Sequence, residues 1–86
     1  MKRKVVAIIG DSRVEENRIK YKLAFETGKA LVEAGYRVQS GGLGGVMEAA
    51  FKGAHVAHNY QDGDTIAIVP SFAKNEVNNY ADIIIP

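Results

Sequence analysis

The chain is short and nearly neutral. It has 86 residues, 47% of them hydrophobic, with 11 basic and 10 acidic side chains. This length allows one domain, and the balance of charge argues against non-specific binding to nucleic acid or to an anionic membrane. Because there is no cysteine, a disulfide framework and a cysteine-based zinc site are both excluded. No apolar run approaches the ~20 residues that span a bilayer, so we expect a soluble, cytoplasmic protein.

The first predicted elements are a strand and a long helix. Residues 5–9 are all apolar, which predicts a strand buried on both faces of a parallel sheet. The basic residues 2–4 before it are interpreted as solvated. Helical spacing follows from about residue 17 to residue 34, where Gly35 ends the helix. The stripe that we expect to face the core consists of Ile19, Leu23, Thr27, Ala30, Leu31 and Ala34.

Further along, two strands enclose a glycine-rich loop and a second helix. Residues 36–39 predict a strand, and a helix is predicted from about residue 46 to residue 58. Its inner stripe would be small, which would let it lie close to the sheet: Val46, Ala50, Gly53, Ala54 and Ala57. A third strand, 65–69, is closed by Pro70, a polar loop occupies 71–79, and a fourth strand is predicted at 82–86.

This alternation of strands and helices predicts an α/β fold with right-handed crossovers and a parallel sheet. Three loops, 10–17, 40–45 and 70–77, would then lie together at the carboxyl edge of the sheet, where α/β proteins bind their ligands. Two successive crossovers in one direction place both helices on the same face. The opposite face is then expected to be covered by self-association or strand swapping, or by the rest of a larger domain; the bare apolar final strand favours an incomplete domain.

The glycine loop is the strongest functional signal. Four glycines in five positions, within residues 41–45, connect a predicted strand to the start of a helix. Glycine lets the backbone approach a ligand closely, and a helix N-terminus favours an anion. The loop matches neither the Gly-x-Gly-x-x-Gly dinucleotide pattern nor the Walker pattern. It predicts a phosphate-binding loop, with a turn that needs several positive φ angles as the alternative.

Other candidate residues flank this loop. Ser12 and Arg13 follow the first strand and could hold a phosphate or ribose, although ordinary turn or cap roles suit Asp11 and Ser12 equally. Glu48 could bond a ribose or base edge, or interact only with the helix dipole. His55 and His58 are interpreted as surface residues, and no metal site is predicted. The ligand-binding assignment covers Gly10, Ser12, Arg13, Gly41, Gly42, Gly44, Gly45, Val46, Met47, Glu48 and Pro70.

The segments VVAIIGDS, SGGLGGVMEAAFKGA, TIAIVP and ADIIIP resemble the N-terminal half of a Rossmann-like superfamily. It includes lysine-decarboxylase-like proteins, the LONELY GUY phosphoribohydrolases, a molybdenum-cofactor carrier protein and, more distantly, DNA-processing protein A. The small branch near the carrier protein is the most similar. This resemblance implies a Rossmann-like three-layer fold, here an incomplete half of about four strands and two helices. It also implies a nucleotide or molybdenum cofactor as ligand, and a homo-oligomer.

The resemblance leaves the question of catalysis open. In the phosphoribohydrolases a second glycine motif with a glutamate carries much of the chemistry, and neither that motif nor their catalytic arginine has a match here. No catalytic residue is therefore assigned, and no lysine environment suits pyridoxal phosphate. Binding of a phosphorylated small molecule is the leading hypothesis. A nucleoside-monophosphate phosphoribohydrolase completed by other sequence, and a non-catalytic assembly fragment, are the alternatives.

Overall fold

The computed structural model describes residues 3–9, 18–41, 44–69 and 77–85. Within them are six elements in the predicted order: β1 (Val5–Ala7), α1 (Ile19–Glu33), β2 (Arg37–Ser40), α2 (Val46–His55), β3 (Thr65–Ile68) and β4 (Ile83–Ile85). Each lies within a few residues of its predicted position. In the part of the chain described, no helix is long and apolar enough to cross a membrane.

The four strands form one parallel sheet in the order β1-β2-β3-β4. The register pairs Val6 with Val38, Val38 with Thr65, and Ala67 with Ile84. This is the α/β, Rossmann-like arrangement that the sequence predicts. All four strands run in the same direction, so their carboxyl ends lie together along one edge of the sheet. β1 and β4 are the two outermost strands.

Both helices cover the same face of the sheet, as expected from consecutive crossovers in one direction. Their contact is unusually close: a Cβ placed on Gly28 would lie 1.9 Å from the carbonyl oxygen of Ala50, and one on Gly53 would lie 1.8 Å from that of Phe25. The two helix backbones therefore touch at these glycines. Beneath them the core contains the fully buried Val32, Val38, Phe51, Ala54 and Ala67.

The predicted inner face of α2 is confirmed, but that of α1 is wrong. In α1 the buried residues are Tyr21, Ala24, Gly28 and Val32, whereas Ile19 is 75% exposed and Leu23 is 61% exposed. The larger apolar side chains suggested the wrong stripe. At the middle of this face Ala24 and Gly28 point inward because α2 approaches α1 at backbone distance there, and only small residues leave room for that approach.

The sheet face away from the helices has no cover in the described residues. Val5, Ile68, Ile83 and Ile85 all project there and are between 38% and 46% exposed. The prediction that β1 is buried on both faces is therefore wrong for the described residues. The same exposure confirms that no helix of the part of the chain that the structure describes covers this face.

Candidate functional site

A cleft of about 350 Å³ opens at the carboxyl edge of the sheet. It lies where β1, β2 and β3 end, and its lining residues are Ala7, Ile8, Ile9, Gln39, Ser40, Gly41, Met47 and Ile68. The walls are mostly apolar, with the amide of Gln39 and the hydroxyl of Ser40 as polar groups. A cleft of this size and composition is typical of small-molecule sites, which occur at this edge of α/β sheets.

The start of α2 adjoins the cleft. Gly45 precedes the helix with φ 63° and ψ −131°, a conformation that side-chain-bearing residues rarely adopt. Within the described residues, no side chain caps the helix at this position. The Gly45 carbonyl accepts a hydrogen bond from the Ala49 N–H at 2.9 Å, so the helix is regular from its first turn. Its N-terminal N–H groups and dipole favour an anion here.

Gly41 and Met47 bring the end of β2 and the first turn of α2 together. A Cβ on Gly41 would lie 2.9 Å from the Met47 sulfur, so the thioether packs directly over the glycine. Both residues line the cleft. Two of the predicted site residues are thus in contact where β2 ends and α2 begins.

Glu48 already has a partner within the protein. The Tyr21 hydroxyl donates a hydrogen bond to its Oε1 atom at 3.0 Å, and Tyr21 is only 4% exposed. The bond joins α1 to the first turn of α2. This contact orients the carboxylate beside the helix N-terminus, a structural role that the sequence did not suggest for Tyr21.

Of the predicted site residues, Gly41, Gly44, Gly45, Val46, Met47 and Glu48 are described and lie together between β2 and the first turn of α2. The other five, Gly10, Ser12, Arg13, Gly42 and Pro70, lie outside the described residues.

A second polar cluster lies at the opposite, amino edge of the sheet, where Asp82 precedes β4. Asp82 accepts hydrogen bonds from the Tyr60 hydroxyl at 2.5 Å and the Gly63 N–H at 2.9 Å. The His55 Nε2 atom lies 3.3 Å from its carboxylate and 2.8 Å from the Tyr80 carbonyl oxygen. Burial, and next the hydrogen bond to Asp82, raise the pKa of Tyr60 above its usual range.

This cluster corrects the interpretation of His55 as a surface residue. Its ring stacks on Tyr60 with centroids 4.3 Å apart, and its side chain is 27% exposed. His58, in contrast, is exposed. The cluster has a structural role, because it connects the end of α2 to the segment before β4. The residues that it joins by hydrogen bonds are distant from one another in sequence. In the described part of the chain, no group of three or more His, Cys, Asp or Glu could hold a metal.

The basic N-terminal stretch also has a structural role that the sequence did not reveal. Arg3 forms an ion pair with Asp64 and donates a hydrogen bond to the Gln61 side chain at 3.0 Å. Asp64 is fully buried and also accepts the Gln61 N–H at 2.8 Å. Arg3 therefore neutralises a buried carboxylate just before β3, and its interpretation as solvated is wrong.

The parallel sheet and its two helices define a Rossmann-like α/β fold with a candidate cleft at the carboxyl edge of the sheet. The chain belongs to the SLOG cluster4 (LDcluster4) family, whose family model matches residues 3–86.

Two relatives are similar to nearly the whole chain. An uncharacterized protein from Archaeoglobus fulgidus is 38% identical over 83 residues, which are 96% of this chain and 50% of the relative. The structure of the molybdenum cofactor binding protein from the phototrophic bacterium Rippkaea orientalis matches with a TM-score of 0.82 and 29% identity, over 99% of this chain and 50% of that one. The chain thus spans about half the length of each relative.

Proposed function

We propose that this domain binds a nucleotide or a nucleotide-like cofactor, with the ligand's phosphate at the connection between β2 and α2. The observation that carries the proposal is the start of α2, which follows a positive-φ glycine beside the cleft and is capped by no side chain of the described residues. Backbone N–H groups and the helix dipole would stabilise the phosphate, and glycine would let it approach the backbone.

The ligand class is narrowed by the rest of the cleft. Ile8, Ile9 and Ile68 supply apolar walls that suit a planar ring system, and the Gln39 amide could bond its polar edge. The similar protein of Rippkaea orientalis binds a molybdenum cofactor, which supports a carrier-like role here. Such a cofactor would bring the redox chemistry of its metal. The residues of this chain would hold its phosphate at Gly44 and Gly45 and its rings between the isoleucines.

Binding is proposed in preference to hydrolysis because of the side chains in the cleft. Among the described lining residues there is no carboxylate and no histidine, whereas cleavage of a glycosidic bond needs an acid or base near the leaving group. The phosphoribohydrolase hypothesis therefore gains no support from the described part of the site.

Titration calorimetry with inorganic phosphate and with AMP tests the proposal, using Gly45→Ala and Gly35→Ala as a matched pair. Both glycines have positive φ, 63° and 94°, so both alanine variants are strained. Gly35 lies between α1 and β2, at the opposite end of β2 from the connection between β2 and α2. We expect Gly35→Ala to bind like the unmodified protein and Gly45→Ala to lose at least about tenfold in affinity. Equal losses, or no AMP binding at millimolar concentration, would contradict the proposal.

A further inference from the structure

We propose that Met47 is an oxidation site, and that conversion of its thioether to the sulfoxide closes the cleft at the carboxyl edge of the sheet to its ligand. The oxidant is a peroxide. The effect on binding rests on the proposed function, because it concerns the same cleft. The oxidation itself does not depend on which ligand the cleft takes.

The thioether of Met47 belongs to the cleft and not to the core. Met47 is half-buried and lines the cleft of about 350 Å³, whereas the buried side of α2 is formed by residues 49–51, 53 and 54. The sulfur lies over Gly41, where a Cβ would come within 2.9 Å of it. An open cleft beside a thioether admits a molecule as small as hydrogen peroxide, and exposure is one of the conditions for oxidation.

The composition of the chain concentrates this chemistry at one position. Sulfur-containing side chains are the ones that peroxides oxidise most readily. The chain has no cysteine and two methionines, of which the other is Met1. Among the residues that the structure describes, Met47 alone carries a sulfur atom, and this sulfur is at the candidate ligand site.

The reaction needs only the thioether and the peroxide. The sulfur lone pair attacks one oxygen of hydrogen peroxide, the O–O bond breaks and an S–O bond forms. The departing hydroxide takes the proton of the transferred oxygen and leaves as water. The sulfur is thereby oxidised by two electrons and the peroxide is reduced. Methionine sulfoxide reductases reverse the change, so the modification can act as a switch.

The sulfoxide changes the wall of the cleft in two ways that oppose the proposed ligand. It places a polar oxygen among mostly apolar walls, so a ring system that packs there buries this oxygen without a donor. The oxygen also carries partial negative charge, and Met47 is the second residue of α2. It therefore offsets the positive end of the helix dipole that favours a phosphate.

Peroxide treatment of the folded chain tests the proposal. Mass spectrometry follows the addition of one oxygen atom to the tryptic peptide 38–52, which contains Met47 and no other methionine. Calorimetry gives the AMP affinity before and after treatment. We expect Met47 to be oxidised without urea, and the oxidised protein to bind AMP at least about tenfold more weakly. Methionine sulfoxide reductases A and B should restore the affinity.

Met47→Leu is the matched control, since it keeps Met1 and an apolar side chain but lacks the sulfur. Whatever the affinity of Met47→Leu is before treatment, peroxide should leave it unchanged. Met47→Gln carries a polar amide of similar length and should bind AMP at least about tenfold more weakly than Met47→Leu without any oxidant. Circular dichroism checks that each form is folded, and the two variants decide if the oxidised chain unfolds.

Three results would overturn the proposal. Oxidation of Met47 that needs urea would mean that the sulfur is inaccessible in the folded protein. Unchanged AMP affinity of the fully oxidised chain would mean that the sulfoxide leaves the cleft open, and the proposed function would stand. No AMP binding before treatment would instead refute the proposed function, and the regulation of that binding with it.

Discussion

Gly28 of α1 and Ala50 of α2 are in backbone contact. A Cβ on Gly28 would lie 1.9 Å from the Ala50 carbonyl oxygen, closer than any real Cβ contact. Gly53 makes the reciprocal approach to the Phe25 carbonyl oxygen, at 1.8 Å. The distance between the helices is therefore set by two glycines, and this distance decides which side of α1 is buried.

Gly28→Ala should destabilise the fold by about 3 kcal/mol, because the added methyl group meets backbone atoms that cannot move independently. Alanine is a better helix former than glycine by about 1 kcal/mol, so a net loss can only come from the clash. Urea unfolding followed by circular dichroism measures it. Glu26→Ala, at an exposed position of the same helix, should stay within about 0.5 kcal/mol. A neutral or stabilising Gly28→Ala would refute the close approach.

Arg3→Ala should cost about 3 kcal/mol in the free energy of unfolding. It would leave the carboxylate of Asp64, which is fully buried, without its counter-charge, and removing one partner of a buried pair is strongly destabilising. The neighbouring Lys4 is exposed, so Lys4→Ala serves as the control and should change little. The same urea titration compares the two. Similar small effects would show that the Arg3–Asp64 pair contributes nothing to stability.

Tyr60 should make stability fall at alkaline pH. Its pKa is raised in the folded protein by burial and by the bond to Asp82. Above the ordinary tyrosine pKa of about 10, the unfolded chain releases the Tyr60 proton while the folded protein retains it. The unfolded state is therefore stabilised relative to the folded state. The free energy of unfolding is thus expected to be insensitive to Tyr60 below about pH 10 and to decrease above it.

Urea unfolding between pH 8 and 11 tests this expectation with Tyr60→Phe. The variant should lose stability at pH 8, because Asp82 loses a hydrogen bond, but should show a shallower decrease above pH 10. Tyr36→Phe, which keeps the Tyr60–Asp82 bond, should retain the alkaline decrease. Parallel curves for the unmodified protein and Tyr60→Phe would contradict the assignment.

Glu48→Gln should change the affinities for inorganic phosphate and for AMP by different amounts. Removing a negative charge from the first turn of α2 should strengthen inorganic phosphate binding, because the helix N-terminus becomes more positive. AMP should gain less, or lose affinity, if the Glu48 carboxylate bonds the ribose as the sequence suggested. Calorimetry with both ligands gives the ratio of the two affinities. Identical changes for phosphate and AMP would limit Glu48 to its contact with Tyr21.

The local sequence pattern was sufficient for the elements and their order. Apolar runs, helical spacing and glycine stops predicted all six, and the alternation of strands with helices indicated a parallel sheet. The uncovered sheet face could also be predicted, since it follows from the handedness of the crossovers. For the site, the sequence indicated the connection between β2 and α2, and the structure describes Gly41 and Met47 in contact there.

Contacts between residues distant in sequence could not be predicted. Nothing near Arg3 indicates Asp64, 61 residues away, and nothing near His55 indicates Tyr80 and Asp82. The buried face of α1 could not be predicted from the sequence pattern either, because hydrophobic periodicity assigns the large apolar side chains to the core.

The sequence by itself thus determined the order of the strands and helices along the chain and their parallel arrangement, because these depend on local propensity and chain handedness. Only the tertiary structure decided which side of α1 is buried and which charges are paired. Those outcomes depend on how closely two backbones can approach and on which buried carboxylates need a partner.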